Sequence, residues 1–101
     1  MSTYVVRNGF IFLYTQSEVV ELSEMQLNSI IVGKSIAQFR SNKGVTQEVL
    51  SGLSNIARSH LSAIENGERK PTLETLYRIS RALDVNMSDI VIEIEKGIGC
   101  T

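Results

Sequence analysis

Residues 46–67 have the sequence TQEVLSGLSNIARSHLSAIENG. One helical segment follows Thr46, a suitable N-cap, and a second covers residues 58–65. Asn55 lies between them, and asparagine adopts the left-handed backbone of a helix end more readily than most non-glycine residues. The pair Asn66-Gly67 predicts the end of the second helix. The segment therefore predicts two short helices joined by a turn of three or four residues.

The second of these helices has a small and polar outer face. Leu61 and Ile64 are its inward positions. The first helix turns Leu50 and Ser54 inward, and Ile56 fills the turn. The positions of the second helix that do not face inward carry no bulky apolar group: Arg58, Ser59, His60, Ser62 and Ala63. Because the major groove of DNA admits one helix, this arrangement favours DNA binding.

Helical periodicity continues on both sides of this segment. A first helix starts near Ile30 and stops at Gly44, a fourth opens at Pro71-Thr72, and a short fifth begins at Asn86, with Asp89 three residues on. Apolar residues recur every three or four positions along the first and fourth helices, which predicts one buried face on each: Val32, Ile36, Phe39, Leu73, Leu76, Ile79 and Leu83. The prediction is a mostly α domain of five helices over residues 29–90.

The N-terminal extension, residues 1–28, predicts a β-hairpin over about residues 3–15. Asn8-Gly9 separates two β-branched and aromatic runs, and both residues tolerate the positive φ of a type I′ turn. The predicted register pairs Tyr4 with Leu13, Val5 with Phe12 and Val6 with Ile11. Both faces of this ribbon are apolar and need a cover, which is the main domain, a second copy of the chain, or both.

The C-terminal segment, residues 91–101, predicts a strand followed by a tail. Ile90, Ile92 and Ile94 alternate with Val91, Glu93 and Glu95, which is the period of a strand with one apolar face. Such an edge strand can join the N-terminal hairpin as a third strand.

The basic charge is concentrated in the helical segment. Residues 29–83 contain eight basic and four acidic side chains, a net charge of +4, whereas residues 1–28 sum to −2 and residues 84–101 to −3. Binding to a polyanion depends on where charge lies, so the overall charge of −1 does not exclude it. A solvated helical surface has a similar charge distribution, so charge alone does not establish DNA binding.

Length and composition predict one globular domain with small extensions in the cytoplasm. The chain has 101 residues, 43% hydrophobic and 21% charged. The single cysteine, Cys100, allows no intramolecular disulfide, so nothing indicates an oxidising compartment. The longest apolar run, residues 10–14, is too short to cross a membrane and lacks the features of a secretory signal.

Residues 32–90 resemble the helix-turn-helix family of lambdoid phage repressors, Cro proteins and xenobiotic-response-element (XRE) regulators. Each matching position is weak alone, but the joint spacing over nearly sixty residues is specific. The matching positions are Val32-Gly33, Ile36, Arg40, Gly44-Val45-Thr46-Gln47-Glu48, Leu50-Ser51, Ile56, Arg58-Ser59, Leu61-Ser62, Ile64-Glu65, Gly67, Pro71, Leu73, Leu76, Ile79, Ala82-Leu83 and Val85. The resemblance implies a five-helix, lambda-repressor-like DNA-binding domain.

The resemblance also implies which residues meet DNA. Arg58, Ser59 and Ala63 would read base edges from a recognition helix over about residues 57–66. Contacts to phosphate or groove would come from Thr46, Gln47, His60, Ser62, Asn66, Arg69 and Lys70. The physical basis is clearest for Arg58, since a guanidinium pairs bidentately with guanine. A phosphate contact alone remains the alternative for Arg58, and ordinary solvent exposure is the alternative for the serines and the loop residues.

Two positions have structural interpretations. Arg40 and Glu65 match a buried ion pair of the family, which would tie the first helix to the third, so we leave both out of the DNA-binding set. The sequence departs from the family at Ala57, where a capping Ser, Thr or Asn is usual, and at Leu53, where a polar residue is usual.

These features predict a sequence-specific double-stranded DNA-binding transcriptional regulator, a repressor that binds a palindromic operator as a homodimer. No catalytic residues, cofactor or metal site are expected, because one His and one terminal Cys build no catalytic constellation. The alternative is a protein-interaction module of antitoxin or anti-repressor type on the same scaffold. The apolar N-terminal hairpin would then bind a protein partner.

Overall fold

A computed structural model describes residues 3–7, 10–14, 19–21 and 26–99 of the chain. In these residues, three short strands precede five α-helices. The strands are β1 (Thr3–Arg7), β2 (Phe10–Tyr14) and β3 (Val19–Glu21). The helices are α1 (Ser29–Asn42), α2 (Gln47–Ser54), α3 (Arg58–Glu65), α4 (Leu73–Ala82) and α5 (Met87–Gly97).

Polar side chains fix where most of these helices begin. The Asn28 side chain accepts from the backbone N–H of Ile30 at 2.9 Å at the start of α1. The predicted cap Thr46 accepts in the same way at α2, at 3.1 Å, and Thr72 does so at α4, at 3.0 Å. At α5 a capping box joins Asn86 and Asp89. Each cap satisfies an N–H group that the helix itself leaves unpaired.

One apolar core holds the five helices together. Every helix contributes buried side chains: Val32, Ile36, Leu50, Leu61, Ile64, Leu76, Ile79, Leu83, Ile90 and Ile94. Those of α1 to α4 lie at positions that the sequence periodicity predicts as inward. The prediction is wrong for Leu73, which lies in the first turn of α4 and is 74% exposed. Ile56, in the turn between α2 and α3, packs against this core as predicted. The core fixes α3 in place because both of its large apolar side chains are buried.

Gly33 brings α1 close to the end of α3. A Cβ atom at this position would lie 2.3 Å from the carbonyl oxygen of Ile64 and 2.7 Å from that of Glu65. Only glycine allows the two backbones to approach this closely. Gly33 therefore sets the position of the C-terminal turn of α3.

The strands form an antiparallel sheet in the order β1-β2-β3. Tyr4 pairs with Leu13 and Val5 with Phe12, and β3 adds Val20 beside Leu13. The predicted turn, residues 8–9, lies outside the described residues. The predicted fold class is wrong in its strand content, because the third strand comes from the N-terminal segment and not from the C-terminal one.

The prediction of a C-terminal strand is also wrong, because Met87–Gly97 forms the helix α5. Ile90 and Ile94 are buried, at a spacing of four that places them on one face of a helix, whereas Ile92 is 49% exposed. The alternation of isoleucines was a coincidence of spacing. Contacts of α5 with α1 and α4 override the strand-like pattern. None of the described helices is long and apolar enough to cross a membrane.

Candidate nucleic-acid interface

A tight turn at Asn55 separates α2 from α3. Asn55 has the left-handed backbone angles φ 56° and ψ 47°. Its N–H donates to the carbonyl of Gly52 at 3.3 Å, and the N–H of Ile56 donates to the carbonyl of Ser51 at 3.1 Å. This hydrogen-bond pair is a Schellman motif with asparagine in the place that glycine usually holds. It ends α2 as predicted and lets α3 start three residues later.

The helix α3 begins without a side-chain cap. Ala57 takes the extended backbone of an N-cap, with φ −65° and ψ 142°, but its methyl group accepts no hydrogen bond. The first-turn N–H groups therefore carry the positive end of the helix dipole toward the surface. This confirms that Ala57 omits the usual cap.

The outward face of α3 consists of the predicted small and polar side chains. Arg58 and Ser59 are exposed in the first turn, and His60, Ser62 and Ala63 are half-buried. A shallow cleft is lined by Ser59, His60 and Ala63 together with Arg69 from the following loop. The structure thus brings two of the three predicted base-reading residues into one concave surface with a basic side chain. Arg58 lies outside that cleft lining.

A second left-handed residue turns the chain after α3. Gly67 has φ 79°, its N–H donates to the carbonyl of Ile64 at 3.1 Å, and the N–H of Glu68 donates to that of Ala63 at 2.9 Å. The chain then runs through Arg69 and Lys70, both exposed. Asn66, the other loop residue in the predicted set, is also exposed and is the C-cap of α3.

Arg40 and Glu65 form the predicted ion pair. The Arg40 Nε donates to Oε2 of Glu65 at 2.7 Å and its Nη2 donates to Oε1 at 2.9 Å, so the contact is bidentate. A third donor, Nη1, reaches the carbonyl of Val45 at 2.9 Å. The hydrogen bond to Glu65 raises the pKa of Arg40; burial opposes this in part, and the negative charge of Glu65 adds a smaller increase. The Glu65 side chain is only 4% exposed.

Gln47 belongs to the same network, a contact that the sequence pattern does not predict. Its Nε2 donates to Oε1 of Glu65 at 3.0 Å, and the side chain is half-buried at the start of α2. Glu65 therefore connects α1, α2 and α3 through one carboxylate. The resemblance to the family predicts only that Glu65 pairs with Arg40. No local pattern shows that Gln47, 18 positions before Glu65, donates to the same carboxylate.

Thr46 is also partly committed to the fold. Its hydroxyl oxygen accepts from the N–H of Val49 at 3.1 Å, while the side chain stays exposed. A hydroxyl that accepts one hydrogen bond keeps its own O–H donor free. Thr46 and Gln47 thus both retain donors at the N-terminal end of α2.

Comparisons with known proteins identify the family. The helix-turn-helix family model matches residues 36–90. The chain is 39% identical over 61 residues to the uncharacterized HTH-type transcriptional regulator y4dJ of Sinorhizobium fredii, covering 60% of this chain and 79% of that protein. It is 37% identical over 62 residues to the immunity repressor protein of Bacillus phage phi105, covering 61% of this chain and 43% of the repressor. The match thus spans most of y4dJ but less than half of the phage protein.

A solved structure has the same arrangement of helices. The crystal structure of the restriction-modification controller protein C.AhdI from Aeromonas hydrophila superposes with a TM-score of 0.61 at 28% identity, covering 64% of this chain and 98% of that one. Sequence match, fold match and the geometry of α2 and α3 agree. The chain therefore belongs to the helix-turn-helix family of transcriptional regulators, with the XRE and phage-repressor proteins that its sequence resembles.

Proposed function

We propose that this DNA-binding regulator is a sequence-specific repressor that binds a palindromic operator as a homodimer, with residues 57–66 in the major groove. Membership of the family supports DNA binding and regulation of transcription. The name of the phage phi105 relative, an immunity repressor protein, supports the repressor assignment.

The observation that carries the proposal is the two-sided character of α3. Leu61 and Ile64 are fully buried, while Arg58 and Ser59 are exposed at the N-terminal end. An eight-residue helix is about 12 Å long, and the major groove is about 12 Å wide, so the exposed end can enter the groove while the core holds the rest. Among the described residues of α3, none of the outward side chains is both large and apolar.

Each predicted contact has a distinct physical role. Arg58, with Ser59 and Ala63, reads base edges, and a bidentate arginine–guanine pair contributes roughly 1 to 3 kcal/mol of discrimination. Arg69, Lys70 and the other predicted contacts bind phosphate or groove walls and set the orientation of the domain: Thr46, Gln47, His60, Ser62 and Asn66. The N–H groups at the uncapped start of α3 are further donors for phosphate.

A dimer follows from the small size of one recognition helix. One module of this size buries too little surface for tight specific binding, so two copies on half-sites about 34 Å apart are needed. Sedimentation of the full chain at micromolar concentrations tests this part alone. A species that stays monomeric, both free and on DNA, would contradict the dimer without touching the DNA-binding assignment.

Selection of bound sequences from random duplex DNA tests base readout. The wild-type chain should select a palindromic site. We expect Arg58→Ala to relax the base preference at one position in each half-site. Arg69→Ala should lower the affinity for all sequences equally. Lys43→Ala removes an exposed basic side chain at the end of α1 and is the matched control. If Arg58→Ala lowers the affinity for every sequence by the same factor, Arg58 contacts phosphate only.

A further inference from the structure

The packed helices α2 and α4 expose a groove with large apolar side chains. Leu53 is 64% exposed and Tyr77 is 52% exposed, and both line this one concave surface. Single exposed apolar residues are ordinary on a protein surface. Two large ones that share a groove, at positions the core leaves unused, indicate a contact surface. We call this surface the α2/α4 groove: Leu53, Ser54, Asn55, Tyr77, Arg78, Arg81 and Ala82.

The α2/α4 groove is positively charged. Arg78 and Arg81 line it and are exposed, and no acidic residue is among the lining residues that the structure describes. Arg78 has a weak partner in Glu74, at 3.8 Å, and the Glu74 side chain is 77% exposed. The Nη1 of Arg78 also donates to the carbonyl of Asn55, at 3.5 Å, the limit of a hydrogen bond. Contacts this long and exposed contribute little, and Arg81 stands beside Arg78 as a second cation. The groove therefore suits an apolar segment that carries a carboxylate.

The helix α5 presents such a segment on its outer face. Val91, Glu95 and Ile98 follow at i, i+4 and i+7, and Ile92 flanks this row. Val91 is 39% exposed, Ile92 49% and Ile98 37%, while Glu95 is exposed between them. The buried Ile90 and Ile94 lie on the adjoining face, so the stripe borders the core. We call this surface the α5 stripe; it belongs to residues 84–101, which sum to a charge of −3.

We propose that the α5 stripe of a second copy of this chain occupies the α2/α4 groove, with Glu95 of one copy against Arg81 and Arg78 of the other. The proposal rests on the homodimer of the proposed function and names its interface. Apolar contact of Val91 and Ile98 with the groove and the opposite charges both favour this occupant.

A two-fold dimer can make this contact twice. The helix α4 packs against both α2 and α5, so the groove and the stripe lie on neighbouring elements of one helical body. In an isologous dimer each copy gives its stripe and receives that of its partner. The reciprocal contact doubles the buried area, which helps to reach the roughly 1,200 Å² that stable interfaces require. The lining of the groove includes none of Arg58, Ser59 and Ala63, so the proposed base-reading side chains are not used by the dimer.

Charge reversal tests the pairing. Sedimentation equilibrium of the full chain would compare wild type, Arg81→Glu, Glu95→Arg and the double variant. We expect each single variant to raise the dimer Kd at least about tenfold and the double variant to recover most of the loss. Lys43→Glu makes the same change in net charge as Arg81→Glu, at a site outside the groove and the stripe, and should leave the Kd unchanged. Circular dichroism checks that every variant is folded, and Leu53→Ser is a second route to a weaker dimer that alters no charge.

The outcomes separate this interface from the proposed function. The proposed interface would be overturned if both single variants kept the wild-type dimer Kd, or if the double variant dimerised more weakly than either single variant. The homodimer itself would stand. A wild-type chain that is monomeric at every concentration would overturn the interface and the homodimer together. Binding to a DNA half-site taken from the selected operator should be the same in all four proteins, since the interface leaves α3 free. Loss of half-site binding in Arg81→Glu alone would place Arg81 on DNA and overturn the proposal.

Discussion

Replacement of Arg40 by methionine removes the cation that holds Glu65 inside the protein. Methionine keeps much of the apolar stem but none of the three donors, at 2.7, 2.9 and 2.9 Å, that reach Glu65 and Val45. The Glu65 carboxylate, whose side chain is 4% exposed, then keeps only the amide of Gln47. A buried charge left without its counter-ion costs about 3 to 5 kcal/mol. The Arg40 side chain is 21% exposed, so water can enter and the lower value, about 3 kcal/mol, is expected.

Such a loss is large against a total stability of about 5 to 15 kcal/mol. Urea unfolding followed by circular dichroism measures it, at a protein concentration low enough for the chain to sediment as a monomer. With a slope of about 2 kcal/mol per molar, the midpoint of Arg40→Met should fall by about 1.5 M. The double variant Arg40→Met with Glu65→Met leaves no buried charge and should recover much of the loss.

Arg78→Met is the matched control, because its pair with Glu74 is exposed and 3.8 Å long. We expect its unfolding free energy to stay within about 0.5 kcal/mol of wild type. If Arg40→Met also stays within about 1 kcal/mol, or if the double variant is less stable than Arg40→Met, then the buried ion pair does not tie the three helices together.

Three further changes have effects that follow from local geometry. Gly33→Ala should lower the unfolding free energy by about 1 to 3 kcal/mol because its Cβ meets the backbone of α3, whereas Gly52→Ala, with no neighbour within 4 Å, should raise it by about 0.5 to 1 kcal/mol. Ala57→Ser supplies the missing cap of α3 and should add about 0.5 to 2 kcal/mol in the same urea assay; no gain would mean that the first-turn N–H groups already have another partner. Lys70→Ala should reduce the slope of log affinity against log salt by about one, and an unchanged slope would remove Lys70 from the phosphate contacts.

The helix ends of the DNA-binding segment were predictable because they depend on short-range preferences. Asn55 and Gly67 adopt the left-handed backbone that their residue types favour, and Thr46 caps α2 as its position suggested. Leu50, Leu61 and Ile64 are buried as the periodicity predicted. These signals lie within a few residues of one another, so the sequence expresses them directly.

The C-terminal helix was not predictable from the alternation of isoleucines. Residues 90–94 fit a strand by period, but a strand would need a partner edge, whereas a helix buries Ile90 and Ile94 against α1 and α4. The spacing of Asn86 and Asp89 predicts a helix start, and the structure confirms it with a capping box. The choice between the two periods depends on which surface is available for packing. That surface is built in part by α1, whose residues lie more than forty positions before those of α5.

The chain's own residues fixed the short helices, their ends and the polar outer face of α3, because backbone preference and apolar period act over a few positions. Only the tertiary structure shows that Arg40 and Gln47 share the carboxylate of Glu65 and that the backbone of α1 at Gly33 closely approaches α3. It also brings Leu53 and Tyr77 together in one groove. Each of these joins residues at least 18 positions apart. Contacts at that distance are made only when whole helices pack, so no local pattern encodes them.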